Sequence, residues 1–260
     1  MIDYHVHSNI SYDGKSSPQE YIDIAHLKGI KEFTFTEHFD YLNGVSNINL
    51  DNYYSSFKNL TIPDDLSVNF GVEVGFNKHY KTTIESAISK YPFDFIIGSS
   101  HSIGGFEIND ELFDSRCRSD VYLMYFNEII NNIKLFTNYD VYGHLDHIVR
   151  YGNFDDNIFD YINYINIIDE ILKVIISNGK GLEVNSSGYR FNSNNPYPCV
   201  DILKRYKELG GEIITVGSDA HKYWELGRDL DIVYELLLKC GFDYINIFHN
   251  RNVSYVKIKK

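Results

Sequence analysis

The residues that could do chemistry in this chain are histidines and carboxylates at recurring spacings. His5 and His7 are separated by one residue, and so are Asp219 and His221. On an extended strand that spacing puts both side chains on one face, about 6.6 Å apart at the backbone. Two donor atoms so placed can close on one ion. His38 stands in Thr36-Glu37-His38, Glu73 in Gly71-Val72-Glu73, and His101 in Ser99-Ser100-His101-Ser102. His144 and Asp146 stand in Gly143-His144-Leu145-Asp146. Imidazole combined with carboxylate suits Zn, Mn or Fe rather than Mg or Ca alone. Six such histidines and several carboxylates exceed what one tetrahedral ion can use. The expectation is therefore two or three divalent transition-metal ions bridged by a carboxylate. Any one of these histidines alone reads as a hydrogen-bonded structural residue; the joint arrangement carries the inference.

The elements that must position them alternate along the chain. Strands are expected at Ile2 to His5, Glu32 to Thr36, Ser67 to Val74, Phe95 to Ser99, Val141 to Gly143, Gly181 to Val184 and Glu212 to Gly217. A last short strand is expected at Ile245 to Phe248. Ser17-Pro18-Gln19-Glu20 is a capping box opening a helix that ends near Gly29. Further helices are expected around Leu50 to Leu60 and at Tyr80 to Lys90, Ser119 to Phe136, Phe159 to Ser177, Val200 to Leu209 and Leu230 to Cys240. Strands alternating with helices imply parallel βαβ units, and seven or eight units fit a barrel better than a doubly wound sheet. Each candidate ligand then falls at the C-terminal end of an expected strand, and in a parallel barrel those ends converge on one rim. Asn185 and Arg190 follow the sixth strand onto the same rim.

Composition bounds the alternatives. The 260 residues are 43% hydrophobic and carry a net charge of −12, which opposes nucleic-acid binding through a broad basic surface. It does not oppose a phosphate substrate, because bound cations dominate the field inside a site. No run reaches the ~18 apolar residues of a membrane span, and Met1-Ile2-Asp3-Tyr4-His5 is unlike a secretory signal. Cys117, Cys199 and Cys240 form no pair motif and are expected to be reduced thiols in a cytoplasmic protein. Among the other histidines, His26, His79 and His249 are given no site role. His147 is one helical turn from His144 and could stand behind it or on the surface.

Taken together and in this order, the motifs resemble the PHP (polymerase and histidinol phosphatase) superfamily over essentially the whole chain. Within it, Leu182-Glu183-Val184-Asn185-Ser186-Ser187-Gly188-Tyr189-Arg190, Pro196-Tyr197-Pro198 and the segment Leu203 to Gly211 are similar to the monofunctional histidinol-phosphate phosphatases. The resemblance implies a distorted seven-stranded (β/α) barrel, a single domain over residues 1–260, and a trinuclear centre. It implies one ion at His5, His7, Glu73 and Asp219, a second at Glu73, His101 and His144, and a third at Asp13, His38 and His221. Other branches of the superfamily have histidine where this chain has Asp13, and a harder carboxylate there would favour Mn or Fe over Zn. Read from its residues alone, Asp13-Gly14 is an ordinary turn.

The activity so implied is hydrolysis of L-histidinol phosphate in histidine biosynthesis, with metals lowering the pKa of the attacking water. Asp219 and His221 are the expected catalytic ligands. Arg190 and Arg150 are expected to hold phosphate oxygens, because a planar guanidinium matches phosphate geometry. Asp146, His221 or a water could protonate the leaving group, and Glu107 and the tyrosines are candidates for the substrate's amine and imidazole. The alternatives are another small phosphomonoester, a phosphodiester, or a metal-stabilised regulatory domain. No ligand is missing, which opposes the last. A metal-dependent amidohydrolase shares the early His-x-His, but no strand end here offers a lysine.

Overall fold

Seven parallel strands form the frame that carries the candidate residues. They are β1 (Ile2–Val6), β2 (Glu32–Leu42), β3 (Ser67–Gly75), β4 (Phe95–Ser99), β5 (Val141–Tyr142), β6 (Gly181–Asn185) and β7 (Ile214–Gly217). In this computed structural model of the chain, the residues described are 1–152, 154, 159–191 and 194–259. Each strand pairs in parallel with the next one in chain order. Beyond β7, Ala220 forms a parallel bridge with Val6, and the His7 N–H donates to the Ala220 carbonyl at 2.8 Å. The sheet thus curls into a nearly closed barrel, as the alternating pattern implied.

Period-2 alternation explains which residues face the helices. Phe33, Phe35, Val72, Val74, Ile96, Val184 and Val216 pack in one core with Ile22, Ile84, Ile129, Ile171, Leu203 and Val233 of the surrounding helices. Each such burial contributes about 1.5–3 kcal/mol. Those helices are α1 (Pro18–Ala25), α2 (Leu50–Lys58), α3 (Lys81–Ile88), α4 (Arg118–Leu135), α5 (Ile165–Ser177), α6 (Val200–Glu208) and α7 (Leu230–Lys239). The capping box of α1 forms as expected, with the Ser17 N–H donating to Glu20 Oε2 at 2.7 Å. Among the described residues no helix is long and apolar enough to cross a membrane.

A smaller apolar cluster of Tyr4, Phe95, Ile97, Val141 and Phe248 fills the barrel interior towards the N-terminal ends of the strands. Phe248 comes from an antiparallel hairpin, β8 (Tyr244–His249) with β9 (Asn252–Lys257). The polar interior is thereby confined to the opposite rim. Three elements differ from expectation. β2 does not stop at Thr36 but runs to Leu42, its tail pairing with Val45–Ser46, so His38 lies within the strand. The segment before α5 is a 3-10 turn, Tyr161–Tyr164. The last strand has a partner, β9, joined through Asn250 and Arg251, both at positive φ (48° and 64°).

Candidate metal centre

Glu73 lies at the middle of the rim. It is fully buried on β3 and in register with His38 on β2. One carboxylate oxygen, Oε2, faces His38 Nδ1 at 2.8 Å, His5 Nε2 at 3.3 Å and His7 Nε2 at 3.6 Å. The other, Oε1, faces His144 Nε2 at 2.8 Å and His101 Nε2 at 3.1 Å, and accepts from Ser99 Oγ at 2.7 Å. Asp219 Oδ1 lies 3.3 Å from His7 Nε2 and 3.7 Å from His5 Nε2. Asp13 Oδ2 lies 3.0 Å from His221 Nε2 and 3.5 Å from His38 Nε2. All nine residues expected as ligands converge, although His38 stands within its strand rather than after it.

Local structure explains the delivery. A bulge between Asp3 and Val6 adds a residue to β1 against β2, re-aiming the strand where His5 stands. Glu37, on the face of β2 opposite His38, accepts the Ser8 and Ser11 N–H groups at 3.0 and 3.1 Å, together with both hydroxyls. That turn leads to Asp13, and the Lys15 N–H then donates to the His221 carbonyl at 2.8 Å. Asp3 accepts the Ser218 and Gly227 N–H groups, each at 2.8 Å, fixing the loop after β7. Asp219 itself sits in the left-handed region at φ 54°, a strain that the surrounding bonds must hold.

The fit to cations can be tested on the polar atoms. His5 Nε2, both ring nitrogens of His7, His38 Nδ1, Glu73 Oε2 and Asp13 Oδ1 are buried without a hydrogen-bond partner. So dense a set of unsatisfied atoms is costly unless something binds it. Among the described residues four triads have donor atoms within 4.8 Å of one another: His7, His38 and His221; His5, His7 and Asp219; His5, Glu73 and His144; His38, Asp40 and His101. The residues fit divalent cations. Asp40 was missed from sequence; its Oδ1 lies 2.8 Å from His101 Nδ1. Its spacing, His38-x-Asp40, repeats that of His5-x-His7 and could have revealed it.

Charge coupling follows from this crowding. Burial alone would lower His38, but Glu73 and Asp13 outweigh it and raise its pKa to about 10. His5, His101 and His221 are also raised, in each case against burial, by adjacent carboxylates. Burial and the charges of His38 and His221 push His7 well below its ordinary value. Burial would raise Glu73, but His101, His5 and His38 hold it well below the carboxylate range. Metal binding must therefore expel protons at neutral pH. Zinc titration of ion-free protein at pH 7.5 should release at least about one proton per chain, read with a pH indicator, and affinity should rise with pH. The raised histidines stabilise the ion-free fold fully below about pH 6.5 and progressively less up to about pH 10. Its melting temperature should fall across that window.

The remaining candidates separate. Arg150, Glu107, His147, Tyr12, Tyr151 and Tyr197 line an open cavity shared with Asp13, His38, His101, His144, Asp219 and His221. His147 is buried, not superficial; its Nδ1 lies 3.0 Å from the Tyr125 hydroxyl. The Arg150 guanidinium stacks over Phe191 at 3.9 Å. Arg190 is not among the lining residues; it donates to the Ser218 and Asp219 carbonyls at 2.8 and 3.0 Å. Asp146 also stands off the cavity, accepting the Cys199 N–H at 2.9 Å, and burial pushes its pKa up to about 7.

The PHP domain family matches residues 3–187. A Lactococcus lactis histidinol-phosphatase is 30% identical over 259 residues, covering 97% of this chain and 96% of the relative. The solved structure of a histidinol phosphate phosphatase from that organism, complexed with zinc, L-histidinol and phosphate, superposes with a TM-score of 0.90. It is 29% identical, over 97% of this chain and 98% of that one. A buried Glu73 ringed by histidines at the rim of a parallel barrel, and a family match over most of the chain, lead to one conclusion: this chain belongs to the PHP domain family, in its histidinol-phosphatase branch.

Proposed function

We infer that this chain is a metal-dependent phosphomonoesterase that hydrolyses L-histidinol phosphate to L-histidinol and phosphate. The observation that carries it is the convergence of six imidazoles and three carboxylates in one cluster, with Asp13, His38, His101, His144, Asp219 and His221 lining an open cavity whose wall holds Arg150. The whole-length likeness to a structure complexed with zinc, L-histidinol and phosphate supports the substrate. His5, His7, Glu73 and Asp219 would hold one ion, Glu73, His101 and His144 a second, and Asp13, His38 and His221 a third. Bound there, divalent cations lower the pKa of water towards neutrality and offset the negative charge of phosphoryl oxygens.

The protein's own part is orientation. Arg150 offers a planar fork to phosphate oxygens from the cavity wall. Arg190 commits two of its N–H groups to the Asp219 loop and so fixes that carboxylate; contact with phosphate falls to its other N–H groups. His221 would serve as a ligand through Nε2 while its Nδ1 faces the Asp219 carbonyl at 3.0 Å, and Asp146 is turned to Cys199, so the proton for the leaving alkoxide falls to a water. Glu107 and the tyrosines supply carboxylate and hydroxyl partners for the amine and imidazole. Arg150→Ala should raise KM about tenfold with kcat little changed, the loss of uniform binding. Arg190→Ala should instead lower kcat about tenfold or more, because it frees Asp219. Steady-state kinetics with L-histidinol phosphate separates the two.

Initial rates on L-histidinol phosphate, sugar phosphates, nucleotides and a phosphodiester test the substrate. A kcat/KM for L-histidinol phosphate at least about a hundredfold above the others is expected. A diester or nucleotide hydrolysed faster would reassign the substrate.

A further inference from the structure

We propose that Glu183 is a positioning residue that sets two ligands of two different ions at once, coupling their occupancy. The inference rests on the metal centre proposed above. Glu183 is on β6, between the strands that lead to His144 and Asp219. It is almost fully buried. Its Oε1 lies 2.5 Å from His5 Nδ1, and its Oε2 accepts the backbone N–H of His144 at 2.9 Å. One carboxylate therefore has one oxygen on each ligand.

The chemistry of each contact is directional. An ionised carboxylate accepts only, so a neutral, ion-binding His5 must carry its remaining proton on Nδ1. That tautomer leaves Nε2 bare, and Nε2 is the nitrogen that faces Glu73 and Asp219 without a hydrogen-bond partner. The contact at His144 acts on the backbone, where the residue has a positive φ of 20°. Asn185 extends the chain of contacts. Its amide nitrogen lies 3.3 Å from Glu183 Oε2 and 3.3 Å from Asp219 Oδ2, while its Oδ1 accepts the Ser187 N–H at 2.9 Å. The flanking strands leave room for the carboxylate. A Cβ at Gly217 would fall 2.5 Å from Glu183 Oε1 and 2.4 Å from His5 Cβ, and one at Gly143 would fall 3.3 Å from Glu183 Oε2.

Three donors converge on Glu183, from His5, His144 and Asn185, so an amide cannot replace it. Whichever way a glutamine is turned, its NH2 meets either His5 Nδ1–H or the His144 N–H. In Glu183→Gln stripped of metal and titrated with Zn2+ alone, ions at the His5 and His144 groups should bind about 10–100-fold more weakly. The ion at Asp13, His38 and His221 should keep its affinity within about threefold, and the ion-free melting temperature should stay near that of the parent. If Glu183→Gln does not fold, Glu183→Asp serves. It keeps the charge but, one methylene shorter, reaches only one of the two ligands, and because the two occupancies are coupled both ions are weakened. Binding of every ion at parental affinity, or equal weakening of all three, would overturn the proposal. A parent protein that binds no Zn2+ would instead overturn the metal centre itself, and this inference with it.

Discussion

Glu73→Gln is expected to lower kcat/KM for L-histidinol phosphate by at least about 10³-fold, about 4 kcal/mol of transition-state stabilisation. Glu73 presents its two oxygens to five histidines divided between two faces. An amide keeps the volume but loses the charge, and its NH2 would point at ring nitrogens meant for a cation. The loss should appear in kcat as well as KM, because the group acts on the ions and not on the substrate. Metal content should fall with activity. A variant that keeps both would show that Glu73 only fills space. The fold should survive, since the neighbouring β3 residues Val72 and Val74 pack in the main core independently of the carboxylate.

Removing the metal should have an effect of similar size, on stability as well as rate. Without cations the cluster is held by histidine–carboxylate pairs alone, with several buried atoms unpartnered. A ligand at 1,000 times its dissociation constant stabilises the fold by about 4 kcal/mol per site. In a chain of this size each kcal/mol shifts melting by about 2–4 °C, so each ion lost should lower it by about 8–16 °C. Treatment with a chelator should abolish phosphate release, and Zn, Mn or Fe should restore both rate and melting temperature. Activity persisting after complete stripping would contradict the account.

Much of this was legible because the chemistry lies on strands. His5-x-His7 announces itself by the two-residue period, and the strand ends announce the rim; Asp219-x-His221 was found by the same spacing although it lies in the loop after β7, with Asp219 at φ 54°. The same period was overlooked in His38-x-Asp40, where the histidine drew attention and the carboxylate did not, and in Glu183-x-Asn185, where the asparagine drew attention and the glutamate did not. Asp3 and Glu37 were hidden for a different reason. They bind backbone N–H groups of distant loops, and no local pattern reports that. Arg190 illustrates another limit. Its position after β6 suggested a phosphate contact, but nothing local reported that two of its N–H groups bond the carbonyls of Ser218 and Asp219. The length of β2 was misjudged because the apolar alternation ends at Thr36, while the strand continues through His38, which this site keeps buried, and the half-buried Asp40.

The most direct test of the central claim is the metal content of the purified chain by elemental mass spectrometry. Two or three transition-metal ions per chain, lost together with hydrolysis of L-histidinol phosphate, are the result predicted here. Fewer than one ion per chain, with no uptake and no gain in activity when Zn, Mn or Fe is supplied, would contradict it.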